Sequence, residues 1–131
     1  MRAVVQRVKK ASVKIQNTSD GDYINGEIDK GLLVFLGITH EDNDKDLDYI
    51  ADKISGLRIF EDEQGKMNLS IDDIKGEILL ISQFTLYGDC RKGRRPGFTD
   101  AARPEIAIPL DEKVIETLKL KGIKVEVGIF G

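Results

Sequence analysis

Tryptophan is absent from this sequence, and cysteine and histidine occur once each, as Cys90 and His40. A single cysteine cannot form a disulfide within the chain, which favours a reducing compartment. His40 has no second histidine or cysteine at ligand spacing, so the sequence indicates no metal site and we interpret His40 as a surface residue. We interpret Cys90 as incidental, since no base lies near it in the sequence.

Long apolar runs are also missing. No run approaches the roughly 20 residues of a membrane-spanning helix, and no secretory signal precedes the first predicted strand. We therefore expect a cytoplasmic protein with no membrane partner. A composition of 40% hydrophobic and 33% charged residues is typical of a globular chain, and 131 residues suit one domain, 1–131.

An overall excess of positive charge is absent too, because the net charge is −3. The cations nevertheless gather in residues 91–95, hereafter the basic segment, at Arg91, Lys92, Arg94 and Arg95. Guanidinium forks fit phosphate oxygens, and one local cluster favours a local anionic ligand over the coating of DNA. A merely solvated surface loop remains an equal alternative.

Hydrophobic periodicity predicts an α/β fold of the α+β type, with a mixed, mainly antiparallel sheet and about two helices. Strands are predicted at 2–8, 11–16, 23–28, 31–38, 57–61, 77–84 and 123–129. The nearly continuous apolar run 31–38 predicts a strand buried on both faces. One helix is predicted at 44–55, with Asn43 or Asp44 capping it. A second ends at Gly122, with Pro109 near its first turn.

Polar side chains follow the apolar strand 77–84. Thr85 is a weak nucleophile unless a base activates it, and His40 is too distant in sequence to indicate a catalytic triad. The amide of Gln83 can donate to a developing oxyanion, and Phe98 can stack on a base. Each residue also has a purely structural interpretation, as a strand-end polar group or as a core aromatic residue.

Several segments together resemble the D-aminoacyl-tRNA deacylase (D-tyrosyl-tRNA(Tyr) deacylase) family over nearly the whole chain. They are Met1-Arg-Ala-Val-Val-Gln-Arg-Val8, Leu57-Arg-Ile-Phe60, Gly65-Lys-Met-Asn68, Ser82-Gln-Phe-Thr-Leu86, Arg95-Pro96 with Phe98, and Ala101-Ala102 with Pro104-Glu105. The resemblance implies a deacylase-like fold and a homodimer that proofreads aminoacyl-tRNA in translation quality control. Such an enzyme hydrolyses the ester of D-aminoacyl-tRNA, and of glycyl-tRNA mischarged on tRNA(Ala), without a metal or organic cofactor.

The resemblance also implies roles for individual residues. It assigns Ser82, Gln83, Phe84 and Thr85 to the active site, and it implies contacts of the basic segment with tRNA phosphates. Substrate-binding positions are Arg7, Pro96, Phe98, Ala101 and Ala102, of which Arg7 supports the active site. Either Thr85 is the nucleophile or water attacks with help from the tRNA's own ribose hydroxyl. The lack of a recognisable base favours the second route.

One family motif, Asn-x-Gly-Pro-Val-Thr, does not occur in these 131 residues. Its Gly–cis-Pro peptide is the family's reader of amino-acid chirality in the partner's site. We therefore expect these residues to fold but to distinguish D from L poorly, or to be inactive. Two alternatives stay open: a non-catalytic protein that binds the tRNA acceptor stem, and a hydrolase of small D-amino acid esters, against which the basic segment argues.

Overall fold

A mixed four-stranded sheet with two helices forms the framework of the computed structural model, which describes residues 1–18, 21–91 and 93–128. In chain order the elements are β1 Arg2–Val8, β2 Ala11–Thr18, β3 Gly21–Ile28, β4 Gly31–Gly37, α1 Asp44–Gly56, β5 Phe60–Glu61, β6 Met67–Leu69, β7 Glu77–Ser82, a 3₁₀-helix Phe84–Tyr87, α2 Pro104–Leu120 and β8 Lys124–Val127.

The main sheet has the strand order β1-β4-β7-β8. Strand β4 pairs antiparallel with β1 and parallel with β7, and β8 pairs parallel with β7. Strands β2–β3 and β5–β6 form two further antiparallel pairs. Three of these five ladders are therefore antiparallel, which confirms the predicted mixed, mainly antiparallel fold with two helices.

Both helices pack on one face of this sheet. The side chains that alternate toward the helices are fully buried along β4 and β7, and α1 and α2 each present an apolar stripe to them. The central members of this core are Leu32, Val34, Leu36, Ile78 and Leu80 from the strands, with Leu47, Ala51, Ile54, Val114 and Leu118 from the helices. Burying each large apolar side chain contributes about 1.5–3 kcal/mol.

The opposite face of the sheet is covered only in part. The β2–β3 hairpin lies against β7 and β8, where Ile28 and Leu79 are buried. Beyond the hairpin, Leu33 and Phe35 of β4 are only half-buried, and Val4 of β1 is 51% exposed. The prediction that 31–38 is buried on both faces is therefore wrong for this part of the strand, because no element covers it in the described chain.

Helix α1 begins where the sequence predicts. The Asn43 side chain accepts from the backbone N–H groups of Lys45 and Asp46, and the Asp46 carboxylate accepts from the Asn43 N–H. This reciprocal arrangement is a capping box, which satisfies N–H groups that the first helical turn leaves free.

Helix α2 begins earlier than predicted. Pro104 occupies its first turn, and Pro109 lies inside the helix on an exposed position. Proline suits a helix start because the N–H groups of the first turn have no partner within the helix, and Pro104 meets this condition as well as the predicted Pro109 does. The helix ends at a Schellman motif, in which Gly122 adopts a φ of 87° and Ile123 N–H donates to Leu118.

The strand bounds also differ from the prediction. Strand β7 ends at Ser82 and not at residue 84, because the chain turns into the 3₁₀-helix. Strands β2 and β3 are longer than predicted, and β6 was not predicted. Strand β8 ends at Val127, and Ile129 lies outside the described residues. No described helix has the length and hydropathy to span a membrane.

Candidate active site

A cavity of about 360 Å³ opens where β7 ends and α2 begins. Its walls are Ser82, Phe84, Phe98, Ala101, Ala102, Arg103 and Pro104. The first five are predicted site residues, so the fold brings together two segments that are separate in sequence. Apolar side chains form most of this lining, while Ser82 and Arg103 contribute polar groups.

The segment Ser82–Leu86, hereafter the site segment, turns away from the sheet but keeps one backbone hydrogen bond to β4. Gln83 N–H still donates to the carbonyl of Leu36 on β4, at 2.8 Å. Arg2 then holds the 3₁₀-helix, because its Nη1 donates to the Leu86 carbonyl at 2.9 Å and its guanidinium lies 4.4 Å from the Tyr87 ring centroid. Arg2 is therefore a support of the site that the sequence prediction missed.

Gln83 and Thr85 are joined by one hydrogen bond. The Nε2 of Gln83 donates to Thr85 Oγ1 at 2.6 Å. An amide N–H cannot accept the hydroxyl proton, so this contact orients Thr85 without activating it as a nucleophile. The second Nε2 hydrogen leaves Gln83 with a further donor. Neither residue is among those lining the cavity, although both neighbours of Gln83, Ser82 and Phe84, are.

Two aromatic rings form the outer wall. Phe84 is 45% and Phe98 38% exposed, and the rings meet edge to face with centroids 5.1 Å apart. Such a pair contributes about 0.5–1.5 kcal/mol beyond area burial. Pro96 is exposed and adjoins the pair, since a Cβ on Gly88 would lie 3.1 Å from Phe98 and 3.6 Å from Pro96.

The loop that carries Phe98 to Ala102 is anchored to the end of β4. Ala102 N–H donates to the Ile38 carbonyl at 2.8 Å, and Thr39 Oγ1 donates to the Asp100 carbonyl. His40 Nε2 contacts the Thr99 carbonyl oxygen at 2.5 Å, as a donor in the tautomer protonated there. His40 is exposed, as predicted for a surface residue, and it also fixes the cavity wall.

The basic segment lies within a small loop that Asp89 and Gly97 close. Asp89 and Gly97 exchange backbone hydrogen bonds of 2.7 and 2.8 Å across its base. Arg91 binds Asp89 in a bidentate pair with N–O distances of 2.9 and 2.8 Å, which lowers the pKa of Asp89 to about 2. Arg94 and Arg95 are exposed and have no carboxylate partner among the described residues. The predicted phosphate contact Lys92 lies outside the described residues.

Arg7 is not brought to the cavity within one chain. It pairs with Leu32, whose β7 neighbour is Ile78, whereas Ser82 pairs with Leu36. That offset of four residues corresponds to about 13 Å along the sheet. Arg7 Nη1 donates to the Ile59 carbonyl at 3.0 Å and adjoins β5 instead. Its predicted support of the active site remains a prediction.

Comparisons with known proteins show which family this chain belongs to. The family model for D-Tyr-tRNA(Tyr) deacylase matches residues 4–131. The chain belongs to this deacylase family. It is 59% identical over 131 residues to a D-aminoacyl-tRNA deacylase of Desulfatibacillum aliphaticivorans, covering 100% of this chain and 86% of that relative. It is 58% identical to the deacylase of Clostridioides difficile strain 630, covering 99% and 84%.

Solved structures agree with the fold of the deacylase family. A c-Myc DNA unwinding element binding protein superposes with a TM-score of 0.87 at 41% identity, covering 100% of this chain and 86% of that one. A probable eukaryotic D-amino acid tRNA deacylase superposes with a TM-score of 0.78 at 15% identity, covering 98% and 88%. The second likeness bears on the fold alone.

One buried carboxyl group next to the cavity, that of Asp111, was not predicted from the sequence. Asp111 of α2 is 6% exposed, and its Oδ2 accepts from Ser82 Oγ at 2.6 Å. Its Oδ1 is buried and makes no hydrogen bond to any described residue. Burial raises the pKa of Asp111 to about 6, against the lowering effect of the Ser82 hydrogen bond. The available signal was its spacing, since Asp111, Val114, Ile115 and Leu118 stand at i, i+3, i+4 and i+7 on one face of the predicted helix.

Metal-ligating side chains do not cluster in the part of the chain that the structure describes, where no group of three or more His, Cys, Asp or Glu side chains could hold an ion. Cys90 is exposed next to the basic segment. Arg103, just before α2, was also missed by the sequence analysis. The available signal was its position directly before the Pro104-Glu105 helix start.

Proposed function

We propose that this chain hydrolyses the ester bond between a D-amino acid and the 3′-terminal ribose of tRNA, releasing free D-amino acid and tRNA. Glycyl-tRNA mischarged on tRNA(Ala) is included as a substrate. The observation that carries the proposal is the joining of the site segment and residues 98–104 around one cavity, in a chain of the deacylase family. A substrate on tRNA also fits the predicted cytoplasmic location.

The cavity suits an aminoacyl group. Its apolar walls provide contact for a side chain, and Ala101 and Ala102 leave it open where larger residues would fill it. The basic segment begins seven residues before Phe98, on the loop that forms the cavity wall. Arg94 and Arg95 offer exposed guanidinium groups for the phosphates of the tRNA end. An aminoacyl ester would occupy the cavity while the tRNA phosphates contact the basic segment outside it.

The chemistry that we propose needs no covalent enzyme intermediate. A water oxygen attacks the ester carbonyl carbon and loses a proton, the carbon–oxygen bond to ribose breaks, and the departing ribose oxygen takes up a proton in place of the one the water lost. Gln83 has a second amide hydrogen beyond the one given to Thr85, and this donor can stabilise the oxyanion that forms during attack. Thr85 orients Gln83 through the same hydrogen bond, and both residues act on the substrate from beside the cavity lining, next to Ser82 and Phe84.

A homodimer is part of the proposal. Val4, Phe35 and Ile81 form one cross-strand row on the sheet face that the hairpin leaves open. Val4 is 51% exposed, and the other two are half-buried. A second copy of the chain would remove this apolar row from water. Sedimentation equilibrium of the chain tests the assembly, and a monomer at micromolar concentration would contradict it.

A substrate panel separates the possible functions. The chain is incubated with D-Tyr-tRNA(Tyr), L-Tyr-tRNA(Tyr), Gly-tRNA(Ala) and D-tyrosine methyl ester, and release of the amino acid is measured. We expect turnover of D-Tyr-tRNA(Tyr) and Gly-tRNA(Ala) and little of the methyl ester, and the ratio of D- to L-tyrosine release tests the poor chiral discrimination expected from the sequence. Binding of tRNA without release would instead identify a non-catalytic acceptor-stem protein. Faster turnover of the methyl ester would identify a small-ester hydrolase.

A further inference from the structure

The hydrogen bond between Ser82 and Asp111 connects the cavity to a buried charge. Ser82 lines the cavity, and it also lines a second, smaller cavity of about 160 Å³ on the other side, together with Asp111. A serine hydroxyl has one hydrogen to donate and two acceptor positions. Because Ser82 donates its hydrogen to Asp111 Oδ2 at 2.6 Å, only acceptor positions remain for a ligand.

We propose that Asp111 is a positioning residue that fixes Ser82 as a hydrogen-bond acceptor for the α-ammonium group of the aminoacyl ester. This inference rests on the proposed function. An O–H···O bond of this length to a carboxylate is charge-assisted and therefore roughly twice as strong as a neutral one. The buried negative charge behind Ser82 also favours a cation over a neutral donor in front of it.

None of the residues that line the smaller cavity is a cation that could offset the burial of the Asp111 carboxylate. Besides Ser82, Asp111 and the neighbouring Glu112, the lining consists of apolar residues and one glycine. They are Leu80, Ile108, Ile115, Val127 and Gly128. Glu112 is the one charged group that raises the pKa of Asp111, while β7 presents the neutral hydroxyl of Ser82 and β8 presents no titratable group to it. A buried carboxylate without a cationic partner costs stability, and a role in orienting Ser82 accounts for keeping it there.

Protonation of Asp111 would remove this arrangement. A protonated carboxyl group can donate to Ser82 Oγ, and the serine hydrogen would then turn toward the cavity. Ser82 would then point its hydrogen at an ammonium group, which has only donors, and the negative charge behind Ser82 would be lost. Since burial raises the pKa of Asp111 to about 6, this change falls in an accessible pH range.

The test is the pH dependence of kcat/KM on D-Tyr-tRNA(Tyr) between pH 5 and 8. For the wild type we expect an acid limb near pH 6, along which kcat/KM falls by up to about tenfold and then levels off. Asp111→Asn, which keeps an acceptor but no charge, should lose that limb. Asp111→Leu should raise KM about tenfold at pH 7.5 with little change in kcat, and Ser82→Ala combined with it should add nothing. Glu112→Gln, the matched control one residue along the helix, should keep the limb and move it only slightly to lower pH, because Glu112 adds to the raised pKa of Asp111.

A second substrate gives an independent readout. N-acetyl-D-Tyr-tRNA(Tyr) lacks the ammonium group, so the wild type and Asp111→Leu should hydrolyse it with equal KM. Retention of the acid limb in Asp111→Asn, an unchanged KM in a folded Asp111→Leu, or an equal loss on the acetylated substrate would each overturn the inference. A wild type that releases no tyrosine at any pH would instead overturn the proposed function.

Discussion

Exposed cations of the basic segment should determine how steeply tRNA binding depends on salt. Arg94 and Arg95 are exposed and have no carboxylate partner in the described chain, whereas Arg91 is held by Asp89 through two hydrogen bonds. We therefore predict that Arg94→Ala with Arg95→Ala removes two phosphate contacts. Arg91→Ala should remove less than one, because Asp89 already binds the Arg91 guanidinium.

The size of the effect follows from counterion release. Each phosphate contact contributes about 0.7–0.9 to the slope of log K against log salt, so the double variant should lose about 1.4–1.8. Between 50 and 200 mM KCl, the wild type should consequently lose about 7- to 12-fold more affinity than the double variant. Asp89→Asn should free Arg91 and steepen the slope by up to about 0.9.

The assay is fluorescence anisotropy with deacylated tRNA(Tyr) labelled away from its 3′ end, titrated at four salt concentrations. Lys53→Ala with Lys119→Ala is the matched control, because it removes the same charge at the far ends of α1 and α2. The control should shift affinity slightly and leave the slope unchanged. An unchanged slope in the Arg94 and Arg95 double variant, or the same flattening in the control, would place the tRNA elsewhere on the surface.

Three further predictions concern individual side chains. Asp111→Asn should raise the free energy of unfolding in urea by up to about 2 kcal/mol at pH 8 and by about half as much at pH 5, because a folded-state pKa of about 6, above the unfolded value, makes the wild type lose stability as pH rises toward and through 6; equal effects at both pH values would refute this. Thr85→Ala should keep measurable deacylation with a raised KM, and a trapped acyl-threonine in the wild type would contradict it. Asn43→Ala should lower the free energy of unfolding by about 1 kcal/mol, measured by urea denaturation, through loss of the α1 capping box.

Elements with strong local signals could be predicted from the sequence. The stripe of Leu47, Ala51 and Ile54 and the cap at Asn43 located α1 to within a residue. Most of the cavity also followed from the site segment and from Phe98, Ala101 and Ala102. These residues lie in short segments whose order along the chain supports the resemblance to the deacylase family, and that resemblance assigned them to the site.

Features set by tertiary contact could not be predicted. The site segment continues an apolar strand in sequence, yet Arg2, which is 84 residues before Leu86, holds its end as a 3₁₀-helix. Asp111 stands at helical spacing from the apolar Val114 and Leu118, but its contact with Ser82 depends on how α2 packs over the end of β7. The pairing of Arg91 with Asp89 spans two residues, but whether such a pair forms depends on the loop backbone closed by Gly97.

The most direct test of the central claim is the single-turnover rate of tyrosine release from D-Tyr-tRNA(Tyr) by the wild type and by Ala101→Phe, whose added ring would fill the cavity. Thermal unfolding and tRNA affinity are measured alongside, to show that the variant folds and still binds. We predict release by the wild type and at least a tenfold slower rate for the variant, with tRNA affinity retained. Equal rates for the two proteins, or a wild type that binds tRNA and releases no tyrosine, would contradict hydrolysis in this cavity.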